Sequence, residues 1–182
     1  MGQSERGVKT TQGCATQPLE LPSEDLWPHI RQYVVPPLSF SSHKGQSGKI
    51  GVIGGSVEYT GAPFYAAFSA LKAGADLAFV YCTLEAAGPI KSYSPELIVY
   101  PILATEEAHI QESIDNIGSH LVRLTALVIG PGLGRASATM KVVSGVIRKA
   151  SKLDIPLILD GVSISLRLLC LLTPVGRTLA IE

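Results

Sequence analysis

The stretch Lys49-Ile50-Gly51-Val52-Ile53-Gly54-Gly55-Ser56-Val57-Glu58-Tyr59-Thr60-Gly61-Ala62-Pro63 decides the fold. A short apolar run enters a loop of small residues, and Pro63 then sits in the first turn of a helix expected over 63–74, closed by Gly74. Proline inside the start and glycine at the end is the usual asymmetry of helix termini. An apolar run without polar alternation reads as a strand covered on both faces, as in a parallel sheet between helical layers. The same pattern recurs downstream. Residues 77–82, 97–102, 126–129 and 157–159 read as further strands, and 106–123 and 137–152 as helices, the last with Met140, Val143 and Ile147 on one stripe. The expected class is α/β, with helices covering both faces of a mostly parallel sheet.

Outside this core the pattern changes. Residues 1–22 are polar, with scattered Gly and Pro, and are expected to form a disordered tail. Ser23 can cap a helix over 24–35, where Leu26, Trp27, Ile30 and Val34 share a stripe and Pro36-Pro37 ends it. The opening Met-Gly-Gln-Ser-Glu-Arg has no apolar segment of a secretory signal, and Glu5, Glu20, Glu24 and Asp25 are foreign to a mitochondrial transit peptide. After Asp160 the strand-loop-helix pattern breaks, and 161–182 stands as a divergent tail that the pattern does not assign.

Composition bounds the function. The 182 residues are 46% apolar and 16% charged, enough chain to bury a real core in one domain. Fifteen basic side chains balance fifteen acidic ones, so no long-range field favours nucleic acid or an anionic membrane surface. The most apolar stretch, 155–181, is interrupted by Asp160, Arg167 and Arg177, leaving no run that spans a bilayer. Cys14, Cys82 and Cys170 form no CxxC and have no nearby His, which argues against a zinc site and a disulfide framework. A reducing, cytoplasmic location is expected.

In an open parallel sheet, ligands bind beyond the carboxyl ends of the strands. The loop from Gly54 to Pro63 delivers backbone into a helix N-terminus, where free amides hold an anion or admit a flat ring; its glycines alternatively do no more than make turns. It lacks the Gly-Lys-Ser/Thr of a Walker A loop. Gly130-Pro131-Gly132-Leu133-Gly134-Arg135 is a second such loop, with Arg135 where a dinucleotide fingerprint needs its third glycine. Arg135 either meets an anion or is solvated. Asp160, at a strand tip, either orients a hydroxyl or metal-bound water or forms a turn. His29, His43, His109 and His120 lack partner spacing and read as surface or structural, and Cys82 reads as packed. No Gly-x-Ser-x-Gly elbow and no Ser-His-acid arrangement is present.

The segments His43-Lys44-Gly45-Gln46, Ile50-Gly51-Val52-Ile53-Gly54-Gly55, Tyr59-Thr60-Gly61-Ala62-Pro63, Ser69-Ala70-Leu71-Lys72-Ala73-Gly74-Ala75-Asp76, Lys91-Ser92-Tyr93-Ser94-Pro95-Glu96-Leu97-Ile98-Val99 and Val128-Ile129-Gly130-Pro131-Gly132-Leu133-Gly134-Arg135 occur in this order. Together, over about 36–160, they resemble the eukaryotic ATP-dependent NAD(P)H-hydrate dehydratases, nucleotide-repair enzymes of the three-layer ribokinase-like fold. The resemblance implies dehydration of the S form of NADH or NADPH hydrate, with ATP and Mg2+ phosphorylating the added hydroxyl so that phosphate leaves in its place. It implies substrate binding by Gly61, Ala62, Gly130, Gly132 and Gly134, with backbone rather than side chains lining the pocket. It implies no nucleic-acid or membrane partner and is compatible with a homo-oligomer.

The sequence also departs from the family. Where the family continues Asp-Ala-Asp-Gly, this chain has Asp160-Gly161-Val162-Ser163, and Val175 follows Leu172-Thr173-Pro174 in place of Asn. The resemblance places the Lys-Gly nucleotide loop and the Gly-x-Gly-Asp motif, with its catalytic aspartate, outside these residues. It thus assigns no catalytic residue and no metal ligand here, and residues 23–160 are read as the N-terminal part of the domain, expected to be inactive alone. The alternatives are a small-molecule kinase of the same fold and a non-catalytic truncated isoform.

Overall fold

The computed structural model describes residues 40–160, the helical residue Pro28 and the backbone of Thr178–Ile181. The expectations for 1–22, the rest of the 24–35 helix, His29, Cys14 and Cys170 lie outside the described residues. One compact unit, Phe40–Glu182, holds the sheet and its helices.

Its elements run β1 (Lys49–Ile53), α1 (Gly61–Lys72), β2 (Leu77–Tyr81), α2 (Leu84–Tyr93), β3 (Ile98–Tyr100), a 3-10 turn (Glu107–His109), α3 (Ile110–Leu121), β4 (Ala126–Ile129), α4 (Ser137–Lys152), β5 (Leu157–Asp160) and β6 (Thr178–Ile181). The strands form a six-stranded sheet in the order β3-β2-β1-β4-β5-β6, and each neighbouring pair is parallel. All strands expected from the apolar runs are present. β3 is shorter than the expected 97–102, because Pro101 has no N–H to continue a ladder.

The differences are local. α2 is not among the helices expected from the sequence: Leu84–Tyr93 contains Gly88 and Pro89, both poor helix formers, yet Ala86, Ala87 and Ile90 are buried. Tertiary burial overrides propensity there. α1 begins at Gly61, ahead of Pro63, and ends at Lys72. The expected 106–123 helix splits into a 3-10 turn and α3. Within the divergent 161–182 segment, Thr178–Ile181 extends the sheet beside β5.

Alternation along the strands gives the sheet two apolar faces. Val52 and Val80 cluster with Ala67, Ala86 and Ile90 of α1 and α2. Their neighbours Ile53 and Tyr81 cluster with Ile117, Val142 and Val146 of α3 and α4. Helices therefore cover both sides, the three-layer arrangement that continuous apolar strands call for.

The amino ends of the strands are tied by side chains. The Asp76 carboxylate accepts the backbone N–H groups of Gly45 and Ser47, both at 2.8 Å, which joins the loop before β1 to the loop before β2. Those bonds, that of Ser47 foremost, hold the Asp76 carboxyl below its ordinary pKa. Thr125 Oγ1 accepts the Lys49 N–H at 2.8 Å and donates to the Lys49 carbonyl at 3.0 Å, locking β1 to the approach of β4.

The strand order sets the position of the site. From β1 the chain moves outward to β2 and β3, then returns to place β4 on the other side of β1. The helices that follow β1 and β4 lie on opposite faces of the sheet, and the carboxyl ends of these two strands are where a crevice is expected.

Candidate functional site

The loops after β1 and β4 meet at that crevice. Ile53 pairs with both Tyr81 and Ile129, so the neighbouring strands end at one level. The Gly130 N–H donates to the Ile53 carbonyl at 3.0 Å, and the Gly55 N–H is shared by the carbonyls of Pro131 and Gly132, each at 3.1 Å. A methyl at Gly54 would collide with the Pro131 carbonyl oxygen, so glycine is what lets the two backbones approach.

The residues expected to bind substrate fall around this junction. Gly132 has φ +61, and a Cβ there would lie 2.8 Å from the Tyr59 carbonyl and 3.1 Å from Pro63 Cδ. The second loop therefore packs on the chain flanking Gly61 and Ala62. Gly134, with φ +75, faces Ser56 Cβ at 3.1 Å. Gly130, with φ +124, packs against the backbone and Cβ of Asp160, which sets that strand-tip residue beside the same loop. Gly61 differs: it opens α1, and a side chain added there would meet nothing within 4 Å. Ala62 beside it is exposed.

Next to the junction lies a cavity of about 480 Å³ whose polar lining includes Ser56, Glu58, Thr83, Glu85, Arg135 and Thr139. Gly134 is the expected site residue that lines it. Ser56 Oγ donates to Glu58 at 3.1 Å and Thr139 Oγ1 to the Ala104 carbonyl at 3.0 Å. Thr83 Oγ1 is buried without a hydrogen-bond partner. Arg135 is exposed at the cavity edge, just ahead of α4. Sequence reasoning does not single out Thr83, Ser56, Glu58, Glu85 or Thr139. The available signal for Thr83 is its place directly after the β2 run, a strand tip like the others.

A second cavity, of about 320 Å³, shares Glu85 and Thr105 with the first and is lined also by His109 and Glu112. His109 Nδ1 lies 3.3 Å from the Glu112 carboxylate, both side chains being exposed. His120 instead packs against the rings of Tyr81 and Tyr100, and burial with nearby Arg123 holds its pKa below the ordinary imidazole value. Cys82 is fully buried, as expected, and burial pushes its thiol up to about 12. Among the described residues no group of three or more His, Cys, Asp or Glu is placed to hold a metal ion. No described helix is long and apolar enough to cross a membrane.

Residues 50–168 match the sequence profile described as NAD(P)H-hydrate dehydratase. This chain belongs to the NAD(P)H-hydrate dehydratase family. It is 53% identical over 128 residues to an ATP-dependent (S)-NAD(P)H-hydrate dehydratase of Ciona intestinalis, a match covering 70% of this chain and 34% of that protein. The human protein of the same name is 51% identical, with 70% of this chain and 35% of its own length covered. The chain thus spans about a third of the length of these relatives.

Among solved structures, a ribokinase-like superfamily protein from Enterococcus faecalis superposes with a TM-score of 0.58 at 25% identity, over 69% of this chain and 40% of that one. An ADP/ATP-dependent NAD(P)H-hydrate dehydratase from Bacillus subtilis, co-crystallised with ATP/Mg2+, superposes with a TM-score of 0.50 at 22% identity, over 69% and 41%. The fold is ribokinase-like. The family match runs to residue 168, past Asp160, where the resemblance legible in the sequence ends.

Proposed function

We propose that this chain takes part in nicotinamide nucleotide repair, the ATP-dependent dehydration of the S form of NADH or NADPH hydrate, and that its residues form the substrate side of the site. The observation that carries this reading is the hydrogen-bonded junction of the β1 and β4 loops beside the open face of Gly61. Family membership supplies the reaction class, and the switch-point position supports a nucleotide site there.

In this reading Gly61, Ala62, Gly130, Gly132 and Gly134 shape the wall against which the hydrated ring lies. The glycines and Ala62 at these positions bring backbone, rather than large side chains, up to the ligand. The rigid junction fixes the ring relative to the strand tips and so limits the orientations open to its hydroxyl. ATP, when bound, supplies the phosphoryl group that turns a poor leaving group into a good one. Among the described residues no group of three or more His, Cys, Asp or Glu is placed to hold a metal ion by itself, and Mg2+ that accompanies ATP is held largely by phosphate and water oxygens. We assign them a binding and orienting role, with no catalytic base among them.

Binding is therefore the readout. Titrating the chain with NADPH and following nucleotide fluorescence should give saturable binding. Gly61→Val places a branched side chain at the start of α1, where the added Cβ meets nothing within 4 Å. It should weaken binding about tenfold and leave the melting temperature unchanged. Absence of NADPH binding, or equal affinity in Gly61→Val, would refute the proposal.

A further inference from the structure

Thr83 stands at the carboxyl tip of β2 and caps the start of α2. A threonine in that position ordinarily turns its hydroxyl onto a backbone N–H of the first helical turn. Here the backbone at Thr83 is extended and the side chain makes no capping bond. Its backbone N–H is spent on the Gly55 carbonyl at 3.3 Å. The residue is 2% exposed and lines the 480 Å³ cavity, and its buried hydroxyl has no hydrogen-bond partner. A buried hydroxyl without a partner is destabilising, and a valine would fill the same volume without that cost. Packing therefore does not account for the hydroxyl. A polar group entering the cavity would supply the missing partner.

The surroundings restrict what that ligand group is. Ser56 and Thr139 lend their hydroxyls elsewhere, to Glu58 and to the Ala104 carbonyl, which leaves Thr83 as the uncommitted buried hydroxyl of the lining. Glu58, Glu85 and Arg135 all line the cavity, so the lining carries no excess positive charge to draw a phosphate. Carboxylates suit donors such as an amide NH2 or a sugar hydroxyl. Val57, Leu133 and Ala136 add apolar wall for a flat ring.

We infer that Thr83 is the hydrogen-bonding specificity residue of this cavity, and that it engages an uncharged polar group of the nicotinamide nucleotide, the ring carboxamide or a ribose hydroxyl, rather than a phosphate. The inference rests on the nicotinamide-nucleotide reading. It deepens that reading by naming the residue and the end of the ligand it holds.

The test compares the wild-type chain, Thr83→Val and Thr83→Ser with reduced nicotinamide riboside, which carries the carboxamide and ribose but no phosphate. Thr83→Val should bind it about tenfold more weakly, and Thr83→Ser should restore affinity. Thr83→Val should melt no lower than wild type, because it deletes a hydroxyl that bonds to nothing in the free protein. A capping role moves the melting temperature the other way. A riboside analogue bearing hydrogen in place of the carboxamide separates the two sources. If the Thr83→Val penalty vanishes with it, Thr83 holds the carboxamide; if it persists, Thr83 holds the ribose.

Equal affinity of Thr83→Val for the riboside overturns the inference. So does a lowered melting temperature, or displacement of the riboside by inorganic pyrophosphate. If wild type binds NADPH and Thr83→Val binds it equally, the inference falls and the nucleotide reading stands. If wild type binds no NADPH, both fall.

Discussion

Gly54→Ala isolates the close approach on which the site is built. Gly54 is buried and its φ is not in the left-handed region, so alanine is conformationally permitted and the cost is steric. The added methyl would run into the Pro131 carbonyl oxygen, with the Pro131 carbonyl carbon at 3.0 Å and its nitrogen at 3.4 Å. These are backbone atoms of a proline, which cannot rotate aside, so the β1 and β4 loops must separate. Overpacking of a rigid site costs about 1–3 kcal/mol. Stretching the Gly55 hydrogen bonds to Pro131 and Gly132 adds about 1 kcal/mol. The smaller entropy of an alanine-containing unfolded chain returns about 0.5 kcal/mol to the unfolding cost. The net expectation is about 1.5–3.5 kcal/mol, a large part of the roughly 5–15 kcal/mol that holds a typical domain together. In urea this moves the midpoint down by about 1 M. Gly61→Ala is the matched control, since its methyl meets nothing, and it should stay within about 0.5 kcal/mol of wild type. A Gly54→Ala midpoint equal to that of Gly61→Ala would refute the reasoning.

Gly132→Ala combines a left-handed backbone at φ +61 with a Cβ 2.8 Å from the Tyr59 carbonyl, so it should lose about 2–4 kcal/mol in the same urea assay and bind NADPH more weakly. Alkaline pH should destabilise the fold. Burial pushes the Cys82 thiol from 9.0 up to about 12 and also raises the Tyr81 phenol, so the folded state keeps protons that the unfolded chain releases. The stability tied to Cys82 is complete below pH 9 and drains at about 1.4 kcal/mol per pH unit as pH rises towards 12, and Cys82→Ala should flatten that slope in urea midpoints. Asp76→Ala removes the acceptor of the Gly45 and Ser47 amides, and hydrogen exchange at those two amides should accelerate while exchange in β4 stays unchanged.

The fold is legible in the sequence because β1 to β5 are short apolar runs bounded by Gly and Pro, and burial on both faces leaves little room for another reading. The ends of elements are less legible. α2 escapes because Gly88 and Pro89 count against a helix locally, while Ile90, which is fully buried, counts for it only once β2 and β3 are in place. β6 escapes because a strand within the 161–182 segment is fixed by its pairing with β5, a long-range contact that periodicity does not carry. Gly130, Gly132 and Gly134 are legible as a group, since their spacing after an apolar run announces a turn at a strand tip. Thr83 is not. A threonine after a strand is commonplace, and what sets it apart, a buried hydroxyl with no partner, exists only in three dimensions.

The same contrast decides which positions can test function. At Gly130, Gly132 and Gly134 the left-handed backbone and the packing against Asp160, Tyr59 and Ser56 demand glycine with or without a ligand. Substitution there damages the turn first, and any loss of binding follows from loss of shape. Gly61 and Thr83 are free of that confusion. A side chain at Gly61 projects into open space, and the Thr83 hydroxyl supports nothing in the protein itself. Changes at either position leave the folded contacts as they were, so an effect on nucleotide affinity there has to come from the ligand. Gly61→Val with Thr83→Val therefore forms the informative pair. If both weaken nucleotide binding while melting temperatures hold, ligand contact extends from the start of α1 to the tip of β2; if only Gly61→Val does, the ligand stops short of the cavity.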